Sequence, residues 1–244
     1  MQEQSETQTT PRVTKYLDLI TVVFTLVLVL SNIASSAKLI DWGISLFGIP
    51  LAFDGGTLFF PVAYIFGDVL TEVYGYAKSR RVIWIGFICL VFTFLMFLLI
   101  QKLPGEPVWE ASIGQEAYDA VLGGISSGGI VLASILGYLG GSFSNSILMA
   151  LLKHVTNGKK LWVRTISSTI VGELVDTALF VVIACLTNVF PWELFWTLTI
   201  TNYLFKVFVE VAMTPVTYWV INKLKKAENL DTYSNLKDLN PLNF

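Results

Sequence analysis

Residues 60–81 read FPVAYIFGDVLTEVYGYAKSRR, and the interpretation of this stretch decides how the rest of the chain is understood. It has the apolar composition of a membrane helix, yet Asp68 and Glu72 stand four residues apart, on one helical face. It then ends in Lys78, Arg80 and Arg81. An ionised side chain near the middle of a bilayer costs roughly 2.5–3.5 kcal/mol, so it faces a bundle interior, a water-filled path or a partner charge. Two readings follow for the pair: a polar binding site inside a membrane protein, or a buried ion pair that only fixes helix register.

Composition places the whole chain in the same class. Of 244 residues, 54% are hydrophobic and 14% are charged, well below the roughly 25% charged residues of a soluble domain. The length suits a single bundle of about six spans at ~20 apolar residues each. Cys89 and Cys185 both fall in apolar runs, where neither a disulfide nor a metal site is suggested. His154, the only histidine, sits in a basic loop, which speaks against a metal cluster or histidine-based catalysis. No metal and no cofactor are expected.

Spans are expected near 17–38, 57–76, 82–103, 128–152, 166–188 and 194–221. The fold class is therefore an all-α membrane protein with six transmembrane helices in one bundle. Residues 1–14 read as a disordered cytoplasmic tail, 15–226 as the transmembrane domain and 227–244 as a second polar, cytoplasmic tail. Between the third and fourth spans, Ile113, Ala117, Tyr118 and Val121 recur at helical spacing, as in a short helix lying at the interface. Ala133, Gly137 and Gly141 recur every four residues in the fourth span, a spacing that lets two helix backbones approach closely. Internal packing is the first reading of that stripe, and a homodimer contact the second. With six spans, Arg12, Lys15, Lys78, Arg80, Arg81, Lys153, Lys159, Lys160, Arg164, Lys223, Lys225 and Lys226 all fall on one side, and the positive-inside rule makes both termini cytoplasmic.

Further ionisable residues lie within the spans: Glu173 and Asp176 in the fifth, Lys206 and Glu210 in the sixth. With Asp68 and Glu72 they make a set that would cost on the order of 15–20 kcal/mol if spread over separate lipid-facing positions. Convergence on a shared interior near the midplane is therefore expected. Acids outnumber the single base, so some carboxylates are left protonated, hydrogen-bonded, or waiting for a ligand that donates hydrogen bonds or carries positive charge. Asn32 and Asn145 add amides at similar depth, each in a Ser-Asn pair. GDVLTE at 67–72 echoes GELVDT at 172–177, a weak sign of two inverted three-helix repeats with a midplane site between them.

The stretches SNIASSAKLI, FPVAYIFGDVLTEVYGYAKSRRVIWIGF and LWVRTISSTIVGELVDTALF together resemble the queuosine precursor transporter family, also called the vitamin uptake transporter family. The resemblance spans about 16–225. It implies a six-helix protein of the bacterial inner membrane that imports 7-cyano- and 7-aminomethyl-7-deazaguanine for salvage into modified tRNA. Asn32, Asp68, Glu72, Tyr74, Arg80, Arg81, Trp162, Arg164, Glu173 and Asp176 match the family's pattern. Ser144 and Asn145 depart from members that carry an acid there.

Guanine-like chemistry suits the polar set. The ring offers N–H donors along one edge beside a carbonyl acceptor, so a carboxylate takes two hydrogen bonds while an amide or ammonium meets the carbonyl. Asp68, Glu72, Glu173 or Asp176 fits the first role, and Asn32, Asn145 or Lys206 the second; Glu210 is a further candidate binding residue. Tyr64, Phe60 and Trp84 are candidates to stack on the ring. The leading expectation is a secondary carrier or facilitator of a small-molecule 7-deazaguanine in a lipid bilayer, with no nucleic-acid partner. No Gly-rich Lys-Ser/Thr phosphate loop is present, so ATP hydrolysis by this chain is not expected. The alternative is the substrate-binding subunit of a vitamin importer driven by a partner ATPase. An intramembrane enzyme lacks a nucleophile with an adjacent base. Coupling ion, oligomeric state, preferred precursor and the carboxylate that touches the ligand stay open.

Overall fold

The computed structural model of the protein describes residues 14–46, 49–126 and 128–243. Expectations for 1–13, including Arg12, lie outside them. The chain forms α1 (Leu17–Ala37), a hairpin of β1 (Leu39–Leu46) and β2 (Ile49–Asp54), a 3-10 turn (Gly55–Leu58), and α2 (Phe60–Val69), which continues as a π-helical turn (Leu70–Tyr74). Then follow α3 (Tyr76–Lys102), α4 (Pro107–Ser112), α5 (Gly114–Ser126), α6 (Gly128–Val155), α7 (Leu161–Leu186) and α8 (Phe195–Glu228). An all-α membrane fold is what the sequence implied. The hairpin is an addition: 39–54 is punctuated by Gly43 at φ 64° and by Pro50, and it pairs antiparallel with an irregularity between Asp41 and Ser45.

Among the described residues, five helical stretches are long and apolar enough to cross a membrane: Leu17–Ala37, Tyr76–Lys102, Gly114–Val155, Leu161–Leu186 and Leu198–Glu228. The second expected span, 57–76, is shorter. It has ten residues of α-helix and five of π-helix, on the order of 22 Å at 1.5 Å per residue, less than the ~30 Å hydrocarbon core. A short segment is tolerable where protein surrounds it, and Val69, Leu70 and Val73 are all fully buried. Gly75 ends it. At φ 83°, in the region that favours glycine, it separates the π-turn from α3, so Lys78, Arg80 and Arg81 belong to the start of α3. The outer faces of the long helices carry Leu26, Ile88, Phe92, Leu99, Leu174 and Phe208, all exposed in the isolated chain, as a lipid-facing surface requires.

Contacts at the helix ends establish an alternating path. Lys15 and Tyr16 before α1 donate backbone N–H groups to Glu228 at the end of α8, and the Tyr74 hydroxyl donates to the same carboxylate at 2.8 Å. Lys153 at the end of α6 reaches Glu72, as does Arg164 at the start of α7. Five segments, α1, α2 with its π-turn, α6, α7 and α8, thus begin or end at one basic end, and α3 starts there after Gly75. At the other end, Ser36 of α1 bonds the Val121 carbonyl of α5, and Gln101 of α3 bonds Asp119. The region between the third and fourth spans is two short helices, and α5 packs against α1 and α3.

The polar segment after α8 folds back on the basic end. Thr232 N donates to the Val73 carbonyl, Tyr76 N to Ser234 Oγ at 2.9 Å, and Trp84 Nε1 to the Pro241 carbonyl at 2.9 Å. Arg80 holds Asp238 at 3.1 Å and the Asn240 carbonyl at 2.8 Å. These bonds make it a strap across α3 and the π-turn.

Candidate functional site

Asp68 lies in the last turn of α2, which packs against α6 and α8. Asn145 of α6 donates from Nδ2 to Asp68 Oδ1 at 3.1 Å, and both residues are buried. The second oxygen of each side chain, Asp68 Oδ2 and Asn145 Oδ1, is buried with no hydrogen-bond partner among the described residues. Glycines put Asn145 there. A Cβ on Gly172 would stand 2.8 Å from Asn145 Cβ, and one on Gly141 would stand 2.6 Å from Asp176 Cβ. The small-residue stripe of α6 is therefore consumed by α7, as internal packing requires.

On α7, Glu173 and Asp176 share one cation. Lys206 of α8 stands 3.2 Å from Glu173 Oε2 and 2.5 Å from Asp176 Oδ2, so the lysine pairs with the fifth expected span rather than with Glu210 one turn along its own helix. Tyr64 of α2 is half-buried near Glu173, Asp176 and Glu210. Glu210 is 2% exposed, and neither of its carboxylate oxygens has a hydrogen-bond partner among the described residues. Asp68 and Glu173 lie within electrostatic range of it. Asp68, Asn145, Tyr64, Glu173, Asp176, Lys206 and Glu210 thus form one constellation contributed by α2, α6, α7 and α8.

Glu72 is placed differently from the expectation of a midplane residue. The π-turn that carries it lies at the basic end, where Arg164 donates to it from Nη2 at 2.7 Å and from Nε at 3.2 Å. Lys225 adds a bond at 2.6 Å and Lys153 stands 3.4 Å away. Both carboxylate oxygens are occupied. Lys153 and Lys225 also hold Asp231 of the strap at 2.5 and 2.8 Å. Burial pushes the Asp231 carboxyl up, but hydrogen bonds from the two lysines outweigh it and hold the group below its ordinary range. The sequence places Lys153, Arg164 and Lys225 correctly on one side but gives no sign that they converge on Glu72.

Asn32 is half-buried and spends Nδ2 on the Leu28 carbonyl of its own helix at 2.9 Å. Of the other residues matched by resemblance, Tyr74 and Arg80 bind Glu228 and Asp238, while Arg81 and Trp162 are exposed. Two further hydroxyls stand beside Glu173. Thr169 and Thr177 flank Glu173 at four-residue spacing on α7, and both are buried without a hydrogen-bond partner among the described residues. Their spacing from an intramembrane acid was the available signal.

Chemically, the constellation can accept hydrogen bonds at Asp68, Asn145 and Glu210 and can offer an ammonium at Lys206. Residues 54–220, which include all of it, match the family described as "Putative vitamin uptake transporter". The chain is 30% identical over 167 residues to a "Probable queuosine precursor transporter" of Bacillus subtilis (strain 168), covering 67% of each protein. No solved structure matches. With the match extending over more than half of its length, this multi-pass membrane protein belongs to the vitamin uptake transporter family, also called the queuosine precursor transporter family.

Proposed function

We propose that the chain carries queuosine precursors, 7-cyano- and 7-aminomethyl-7-deazaguanine, across the bacterial inner membrane as a secondary carrier or facilitator. The observation that carries this reading is the pair of buried acceptors, Asp68 Oδ2 and Asn145 Oδ1, left over beside the bond between their side chains. A buried acceptor without a donor costs about 1–3 kcal/mol, and the ring N–H and exocyclic amine of a guanine-type base present two neighbouring donors to such a pair. Lys206 supplies a donor for the ring carbonyl, and Tyr64 an aromatic face. The Bacillus subtilis relative's name points to the same ligand class.

The basic end, where α1 begins and the segment after α8 folds back, is assigned to the cytoplasm by the positive-inside rule. There Glu72, with its three cations, closes the bundle rather than meeting the ligand, and Asn32 is left to helix packing. The test is uptake of labelled 7-deazaguanines into proteoliposomes holding the purified chain alone. Uptake without any ATPase supports a carrier. Binding without uptake, restored only by a partner ATPase, would favour the substrate-binding-subunit alternative, and no binding would remove the reading.

A further inference from the structure

We propose that Glu210 makes this site selective for a ligand bearing a positive charge, so that the aminomethyl deazaguanine is bound in preference to the cyano form. The proposal rests on the queuosine-precursor reading and adds a preference to it. It starts from how the charges are distributed. Lys206 is drawn onto Glu173 and Asp176 of α7, at 3.2 and 2.5 Å, although Glu210 lies one turn away on its own helix. Arg164, Lys153 and Lys225 are committed to Glu72 at the basic end. Glu210 is left 2% exposed, its two oxygens without a hydrogen-bond partner among the described residues, within electrostatic range of the acids Asp68 and Glu173. Thr214 does not relieve it, since its hydroxyl bonds the Glu210 backbone carbonyl at 3.0 Å.

Among the described residues Asp68 receives only the neutral Asn145 amide. Two carboxylates of one constellation therefore lack a cation among the described residues. A ligand donating from its ring edge satisfies Asp68 and Asn145 whatever its 7-substituent. An ammonium on that substituent adds what Glu210 lacks: a charge-assisted hydrogen bond and relief of acid–acid repulsion. A nitrile has no donor at all and meets a carboxylate through its own negative end.

The experiment is calorimetric titration of the purified full chain with three probes: 7-aminomethyl-, 7-hydroxymethyl- and 7-cyano-7-deazaguanine. The hydroxymethyl compound matches the aminomethyl one in size without its charge. The aminomethyl probe is expected to bind roughly 10- to 100-fold more tightly than either neutral probe. In Glu210→Gln that ratio is expected to fall to about unity with the neutral probes still bound, the range set by a single charged hydrogen bond. Equal affinity for all three probes in the unaltered protein, which needs no variant to fold, would overturn the proposal while leaving the queuosine-precursor reading intact. A preference that survives Glu210→Gln would overturn the assignment to Glu210. Failure of all three probes to bind would remove the underlying reading and the preference with it.

Discussion

Asn145 gives a hydrogen bond to Asp68 across the α2–α6 contact at 3.1 Å, and the oxygens left over on the two side chains are both acceptors buried without a protein donor among the described residues. A pair of this kind is better matched by a ligand with two donors than by a second protein carboxylate. The remaining members of the constellation differ in what they hold in place, and the differences can be measured.

Lys206 is the cation for Glu173 and Asp176, and all three are largely or wholly buried. Removing one partner of a buried pair leaves an uncompensated charge and costs about 3–5 kcal/mol. Lys206→Met is expected to lower the thermal unfolding temperature in detergent clearly, and adding Asp176→Asn to restore part of it. A single variant as stable as the parent would contradict the pairing.

Glu72 ties the π-turn to α6, α7 and α8 through Lys153, Arg164 and Lys225. Glu72→Gln keeps the shape but leaves Lys153 and Lys225 facing only Asp231 and Arg164 with no carboxylate among the described residues, again a loss of about 3–5 kcal/mol for a buried set. Reduced folded yield in size-exclusion chromatography is the expected result. A well-folded variant with unchanged melting would remove Glu72 from its closing role.

Gly141 lies where a Cβ would fall 2.6 Å from Asp176 Cβ and 3.0 Å from the Gly172 carbonyl oxygen. Gly141→Val must push α6 from α7, at about 1–3 kcal/mol for overpacking, and move Asn145 one turn away. Both melting temperature and ligand affinity are expected to drop. Affinity unchanged in a folded variant would separate Asn145 from the site.

Asp231 and Asp238 anchor the strap. Burial raises Asp231, yet the bonds from Lys153 and Lys225 bring it below its ordinary range, and the Arg80 hydrogen bonds do the same for Asp238. A carboxyl depressed by folding contributes stability above its unfolded value of about 3.9 and loses it only as pH falls through the lower folded value. Protease cleavage within 229–243 is therefore expected to stay constant between about pH 7 and pH 5 and to rise only in stronger acid. An onset near pH 6 would contradict the anchoring.

Much of this architecture was legible because lipid punishes charge so heavily. Asp68, Glu173, Asp176, Lys206 and Glu210 could be grouped from their positions in apolar runs alone, and the structure brings them together. Periodicity also identified the α6 stripe that packs on α7. Glu72 was misplaced in depth because helix spacing says nothing of a segment that ends at Gly75, only three residues beyond it. The hairpin is not legible in the sequence because its strands lie between two strong helix signals and carry a pairing pattern too short to stand out. The strap was invisible for a different reason: polar tails bind through backbone groups, as the Pro241 and Asn240 carbonyls do here, and composition does not encode those contacts.

The central claim is that Asp68 and Asn145 read the donor edge of a deazaguanine. Titration of 7-cyano-7-deazaguanine into purified parent protein and into Asp68→Asn tests it most directly, because this ligand is neutral and the variant keeps the side chain's shape. The account predicts saturable binding by the parent and at least roughly tenfold weaker binding by the variant, the loss expected of one hydrogen bond to a charged group. Equal affinity in the two proteins would contradict it.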